Sequence, residues 1–143
     1  MEPAPLKPPF PPCCWYNLNH ISVGTAGPRG QGGTTATRRN HKLRNVSHLT
    51  DFTAILGFSE LHASEVRADA CFFQHVPKLV VYYHTRDGQP GLAIGVNQLL
   101  LGRELSHEIV DEHAAHCVHW TDGDVQRVFL NFRLSCTTFP NTE

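Results

Sequence analysis

Six prolines within the first twelve residues, at positions 3, 5, 8, 9, 11 and 12, constrain this chain more than any other feature. Each fixes φ and removes a backbone donor, so the stretch is unsuited to a helix interior or a central strand, and an extended polyproline conformation is expected. Glycine then takes over at Gly24, Gly27, Gly30, Gly32 and Gly33, the composition of a flexible linker. On this reading residues 1–40 are a flexible, basic Pro/Gly-rich tail and linker, and residues 41–143 form a single small globular domain. A domain of about a hundred residues buries roughly two-thirds of the surface of its unfolded chain, enough to fold without staples if its patterning is good.

Between the proline and glycine stretches, Trp15, Tyr16, Leu18, Ile21 and Val23 form a short apolar island that can dock on the domain or on a partner. Apolar periodicity resumes at Leu49, and Leu49, Phe52, Leu56 and Leu61 are spaced for one face of a helix over about 48–68, with Ser59 or Ser64 able to cap a second half. Lys78 to His84 and Leu92 to Val96 flank Asp87-Gly88 and read as a hairpin. Leu101, Leu105, Ile109, Ala114 and Cys117 lie on one helical stripe within 97–119, with Arg103, Glu104, Glu108, Asp111 and Glu112 outside it. Val128, Leu130, Phe132 and Leu134 alternate with Arg127, Asn131 and Arg133, which favours a strand with the apolar row inward, although Val125, Val128, Phe129 and Phe132 also fit one face of a helix. The expected fold is therefore α+β, a small three-stranded sheet packed against one or two helices and preceded by a disordered Pro/Gly-rich N-terminal segment.

Charge is unevenly spread although the total is −1. Lys7, Arg29, Arg38, Arg39, Lys42 and Arg44 face only Glu2 in the first 45 residues, and the remainder is net acidic. The near-neutral total makes nucleic acid an unlikely partner. The cluster at 38–44 has the length of a nuclear-import signal or a phosphate-contacting arm, although solvated charge is the simpler reading. No run approaches the eighteen apolar residues that cross a membrane, and proline interrupts any secretory leader, so no membrane partner and a cytoplasmic or nuclear location are expected. Five cysteines without recognisable spacing are then expected as free thiols, and the Asn45-Val46-Ser47 sequon as unglycosylated.

Three constellations are candidates for function. If 97–119 is helical, His113 lies one turn from His116 and Cys117, and His116 one turn from His119, so these four side chains are the candidate zinc ligands. The spacing matches no closed structural zinc site, and the alternative is a solvated helix face with no cofactor. Pro8, Pro9, Pro11 and Pro12 give overlapping P-x-x-P spacings that an aromatic groove can read, and Trp15 and Tyr16 supply an adjacent aromatic contact, so these six are the candidate partner-binding residues. Gly57-Phe58-Ser59-Glu60-Leu61 has the first glycine of a nucleophile elbow and lacks the second, and the glycines at 27–33 lack the Lys-Ser or Lys-Thr of a phosphate loop, so no catalytic residue is assigned.

Asn45-Val46-Ser47-His48 and Thr53 through Leu61 resemble the phosphoacceptor helix of sensor histidine kinases, and Gly123 through Asn131 resembles the approach to that family's ATP-binding helix. The Leu-Arg-Thr-Pro that follows the family's histidine is absent after His48, and residues 68–120 resemble nothing in it, so no kinase site residue is carried over. The leading functional expectation is a non-enzymatic protein–protein interaction or regulatory module with an unidentified protein partner. The alternatives are a His/Cys zinc-binding regulatory protein and a poorly structured product without a defined activity. A hydrophobic content of 41% speaks against the last.

Overall fold

The computed structural model describes residues 11–23, 34–86 and 89–134. Its elements in chain order are β1 (Cys13–Asn17), α1 (Ala36–Leu49), β2 (Ile55–Ser59), α2 (Glu65–His75), β3 (Leu79–His84), β4 (Leu92–Asn97), α3 (Gln98–Leu101), β5 (Ser106–Asp111), β6 (Ala115–Asp122) and β7 (Val125–Phe132). The strands form a four-stranded sheet of order β1-β2-β4-β3 and a three-stranded sheet of order β5-β6-β7. β1 runs parallel to β2, and the other pairings between these strands are antiparallel. Among the described residues no helix is long and apolar enough to cross a membrane.

This replaces the expected three-stranded sheet, and each difference has a physical cause. The proline run does not keep its neighbours out of the fold. The carbonyl of Pro12 accepts from the amides of Ala54 and Ile55, and the island that follows enters the larger sheet as β1, with Leu18 and Ile21 buried behind it. The long helix expected over 48–68 is two helices separated by a strand. Ile55, Leu56, Gly57 and Phe58 are all buried, the continuous apolar run of a strand covered on both faces. The basic cluster at 38–44 lies within α1, which buries Leu43 and Val46 and starts at a Thr35 cap accepting from the amide of Arg38. Ser64 caps α2 in the same way through the amide of Arg67. Of the stretches that resemble the kinase family, Asn45–His48 lies in α1, whereas the other two fold as strands at their apolar centres, β2 and β7.

The hairpin expected around Asp87-Gly88 forms, pairing Leu79–His84 against Leu92–Asn97, although its tip at 87–88 lies outside the described residues. The helix expected over 97–119 does not. After the single turn of α3, residues 106–122 form the antiparallel strands β5 and β6, joined where Asp111 Oδ1 accepts from the amides of His113 and Ala114. The expected core residues Ile109 and Phe132 are about half exposed, at 44% and 50%.

Packing divides into two layers. On one face of the larger sheet, Leu56, Phe58, Leu79 and Ala93 pack against Leu43 and Val46 of α1 and Ala68 and Phe72 of α2. On the other, Ile55, Ile94 and Val96 meet Val118, Trp120 and Phe129 of the smaller sheet. The fold is thus helices, sheet, sheet, with the outer face of the smaller sheet uncovered by any other described element.

Candidate functional site

In doubly wound parallel α/β sheets ligands bind beyond the carboxyl ends of the strands, and in this mixed sheet β1 and β2 are the parallel pair. Here that end is where β1 and β2 stop, and it carries an unusual backbone. The four described non-glycine residues with left-handed φ all lie there: Asn19 (45°), His20 (73°), Glu60 (60°) and His62 (49°). A non-glycine residue in this region costs about 1 kcal/mol or more, so four together require firm anchoring. The anchoring is visible. The amides of Leu18, His20 and Ile21 donate to the carbonyls of Ser59, Glu60 and Leu61, and the amide of His62 donates to Pro90. Ser22 Oγ donates to the His62 carbonyl, and Lys42 Nζ donates to the carbonyls of Asn19 and His20.

The strained loops bring three functional groups together. His62 Nε2 lies 2.5 Å from Glu60 Oε2, and the His20 ring stacks on the His62 ring at 3.8 Å between centroids. Burial, and then the neighbouring His62, hold the His20 pKa below the usual histidine value, so His20 is neutral at pH 7. With Glu60 accepting from Nε2, His62 has its ring fixed and Nδ1 left as the working nitrogen. This carboxylate–imidazole pair has the form of a general acid–base dyad. His62 borders a cavity of about 650 Å³ that is also lined by Ser22, Ser64, Arg67, Thr85 and Arg86. Arg86 makes a loose pair with Glu112 at 3.4 Å on the rim.

A second concavity opens on the other side of the same strand ends. Trp15, Tyr16, Asn17, Gly57, Ser59, Asn131 and Phe132 enclose a cleft of about 510 Å³ between the two sheets. Gly57 is required at its floor, because a Cβ there would stand 2.7 Å from both Asn131 Oδ1 and Trp15 Cδ1. Trp15 is held by stacking on Phe129 at 4.8 Å and by donating from Nε1 to the Leu130 carbonyl, yet remains 60% exposed.

Behind the cleft lies a polar connection inside the inter-sheet layer. Asn131 Nδ2 lies within hydrogen-bonding distance of the carbonyls of Phe58 and Ala93 and of His116 Nε2. Because His116 Nε2 accepts, its Nδ1 carries the proton and donates to His107 Nε2 at 2.9 Å. Both imidazoles are therefore neutral. Burial, with His107 and His84 beside it, pushes the His116 pKa down to about 3.

The residues expected to bind zinc are placed differently from the helical reading. His113 lies in the turn before β6, and the strand alternation of β6 puts His116 into the inter-sheet layer while His119 faces Glu108 at 3.9 Å on the other side. Cys117 points away from His116, across from Leu130 in the register. A one-turn chelate of the four is thus replaced by a strand that separates them. Among the described residues no group of three or more His, Cys, Asp or Glu side chains is arranged to hold a metal ion. Of the expected partner-binding residues, Pro8 and Pro9 lie outside the described residues, Pro11 and Pro12 lead into β1, Tyr16 packs partly against the helix-side core, and Trp15 walls the cleft. Glu60, His62 and His20 were not legible as a site. Their one signal is that a histidine stands three residues past the end of each parallel strand, after Asn17 and after Ser59.

No family model and no curated protein matches the sequence. The fold is similar to the crystal structure of truncated Caenorhabditis elegans TDP2, with a TM-score of 0.50 and 17% identity over 71% of this chain and 42% of that one. A selenomethionine TDP2 structure from the same organism gives a TM-score of 0.49 at 17% identity, covering 71% of this chain and 32% of that one. The chain spans less than half the length of these TDP2 chains, and the likeness is one of fold.

Proposed function

We propose that the strand ends of β1 and β2 are the catalytic end of an enzyme that hydrolyses phosphate esters, with His62 and Glu60 as its acid–base dyad. The observation that carries this reading is the Glu60–His62–His20 cluster, built on four strained backbone positions at the carboxyl ends of the parallel pair β1 and β2. The TDP2-like fold, which is phosphodiesterase- or nuclease-like, supports an enzyme of this class. The expectation of a non-enzymatic interaction module finds no support in the described residues.

In this reading His62 Nδ1 takes a proton from the attacking water as its oxygen bonds to phosphorus. The bond from phosphorus to the leaving alkoxide breaks, and His62 returns the proton to that oxygen. Glu60 holds the imidazolium formed on the way, and the stacked, neutral His20 keeps the ring in place without adding a repelling charge. Arg67 and Arg86, in the same cavity, meet the non-bridging oxygens of an anionic ester. The test is release of 4-nitrophenolate from bis(4-nitrophenyl) phosphate by the intact chain, in parallel with His62→Gln. Release that depends on His62 supports the reading, and an equal rate in the two proteins overturns it.

A further inference from the structure

The outer surface of the helix layer concentrates positive charge that nothing in the molecule neutralises. α1 carries Arg38, Arg39, Lys42 and Arg44 and no acidic residue. Among the described residues no ion pair includes a side chain of α1. Lys42 is committed inward, to the carbonyls of Asn19 and His20, and Arg39 donates to Asn40 Oδ1. Arg38, His41, Arg44 and His48 are exposed and stand three or four residues apart, so they form one row on the side of α1 away from the buried Leu43 and Val46.

α2 lies beside α1 on the same face of the larger sheet and adds a different material. Its Ala68 and Phe72 are buried against the sheet. On its opposite side Val66, Ala70 and Phe73 recur at i, i+4 and i+7, and all are exposed, Val66 and Phe73 at 80%. A surface helix ordinarily turns polar residues to this side, so an apolar row there points to a partner. Acidic charge does not separate the two rows. Asp69 of α2 is turned to the β3 edge, where it accepts from the Tyr83 hydroxyl, whereas Lys42 ties α1 to the loop after β1, at the other edge of the sheet.

We infer that the outer face of α1 and α2 docks on an anionic lipid bilayer, with Arg38 and Arg44 against the headgroups and Val66 and Phe73 entering the acyl boundary. Unpaired guanidinium groups complement headgroup phosphate and carboxylate, and apolar side chains on a helix back enter a bilayer without needing a fitted groove. A water-borne polyanion satisfies the arginines and leaves Val66 and Phe73 in water, whereas a membrane interface uses both rows. The expectation of no membrane partner rests on spanning runs and secretory leaders, and adsorption to a surface needs neither. The net charge of −1 is no obstacle, because the attraction decays within a Debye length and is set by the face turned to the lipid. Membrane docking is independent of the hydrolytic reading above.

The experiment sediments the intact chain with vesicles of phosphatidylcholine alone and of phosphatidylcholine mixed with phosphatidylserine. The chain is expected to sediment with the mixed vesicles, to stay in solution with phosphatidylcholine alone, and to be released by about 0.5 M salt. Arg38→Gln and Arg44→Gln should each weaken binding about fivefold, the usual contribution of one cation at an anionic surface. Val66→Ser combined with Phe73→Ser should weaken it at least about tenfold, since the inserted apolar area is lost. Phe73→Trp gives a second reading that does not depend on the double variant folding. Its emission, compared with that of the unsubstituted chain, should move to shorter wavelength when mixed vesicles are added. Equal binding to the two kinds of vesicle, undiminished binding in the folded double variant, or unmoved emission of Phe73→Trp overturns the inference. Binding of duplex DNA through Arg38 and Arg44 without binding of mixed vesicles also overturns it and assigns the face to nucleic acid.

Discussion

The two faces of the four-stranded sheet are built from different material. The helix-side face is closed by apolar side chains, with Phe58 and Phe72 tilted against each other at 5.1 Å and Leu43, Val46 and Ala68 filling around them. The face towards the smaller sheet mixes Ile55, Ile94 and Phe129 with His116 and Asn131, both buried and hydrogen-bonded across the layer. Transfer from water holds the first face together without specifying direction. Directional bonds on the second orient one amide towards the cleft. Apolar packing dominates one side, and polar side chains held in fixed orientation mark the other.

The largest effect that distinguishes the faces is expected from Phe72→Ala, which empties the helix-side layer and should cost about 3–5 kcal/mol in denaturant unfolding while leaving the cleft residues in place. Acid should attack the other face. A folded-state His116 with a pKa of about 3 binds fewer protons than the unfolded chain, whose histidines titrate near 6.5. Its contribution is complete above about pH 6.5 and is lost progressively as pH falls towards 3. Unfolding free energies measured from pH 7 to pH 4 should therefore fall, and His116→Gln should flatten that slope. His107, whose pKa is also lowered by burial and by His84, adds to the loss in the same direction.

Asn131→Leu retains the shape and removes the donor to Phe58, Ala93 and His116, and is expected to cost about 1–3 kcal/mol, read as a shift in thermal midpoint. The smallest effect belongs to the outer face of the smaller sheet, where Val128 is 63% exposed. Val128→Thr should leave stability within about 0.5 kcal/mol. A large loss there would show that this outer face carries stability and blur the contrast between the two layers.

What the sequence disclosed follows the range of the interactions involved. The β3–β4 hairpin and the Ser64 cap are local, and both are visible in short windows. β1 pairs in parallel with a strand forty residues away, a contact that leaves no local signature, and the flanking prolines and glycines argue against any strand there. β7 shows the opposite error. Its alternation is plain, but Val128, Leu130 and Phe132 face out while Phe129 and Asn131 face in, so an apolar row marked the wrong side. The polar residue that misleads, Asn131, is buried between the sheets by its bonds to Phe58, Ala93 and His116. Similarly, Leu101, Leu105 and Ile109 share a helical spacing by coincidence, and the alternation of His116, Val118 and Trp120 on the buried side of β6 decides the structure. Glu60 and His62 are an ordinary pair in sequence, and only the meeting of two strand ends places His20 against them.

The central claim is that the dyad at these strand ends does chemistry, and kcat/KM for phosphodiester cleavage by Glu60→Gln, determined alongside its thermal midpoint, tests it most directly. The account predicts a fall of about a hundredfold or more, the usual contribution of a positioned acid–base group, with the midpoint essentially unchanged because Glu60 and His62 are partly exposed. A rate equal to that of the unsubstituted chain, in a variant that folds as well, would contradict it.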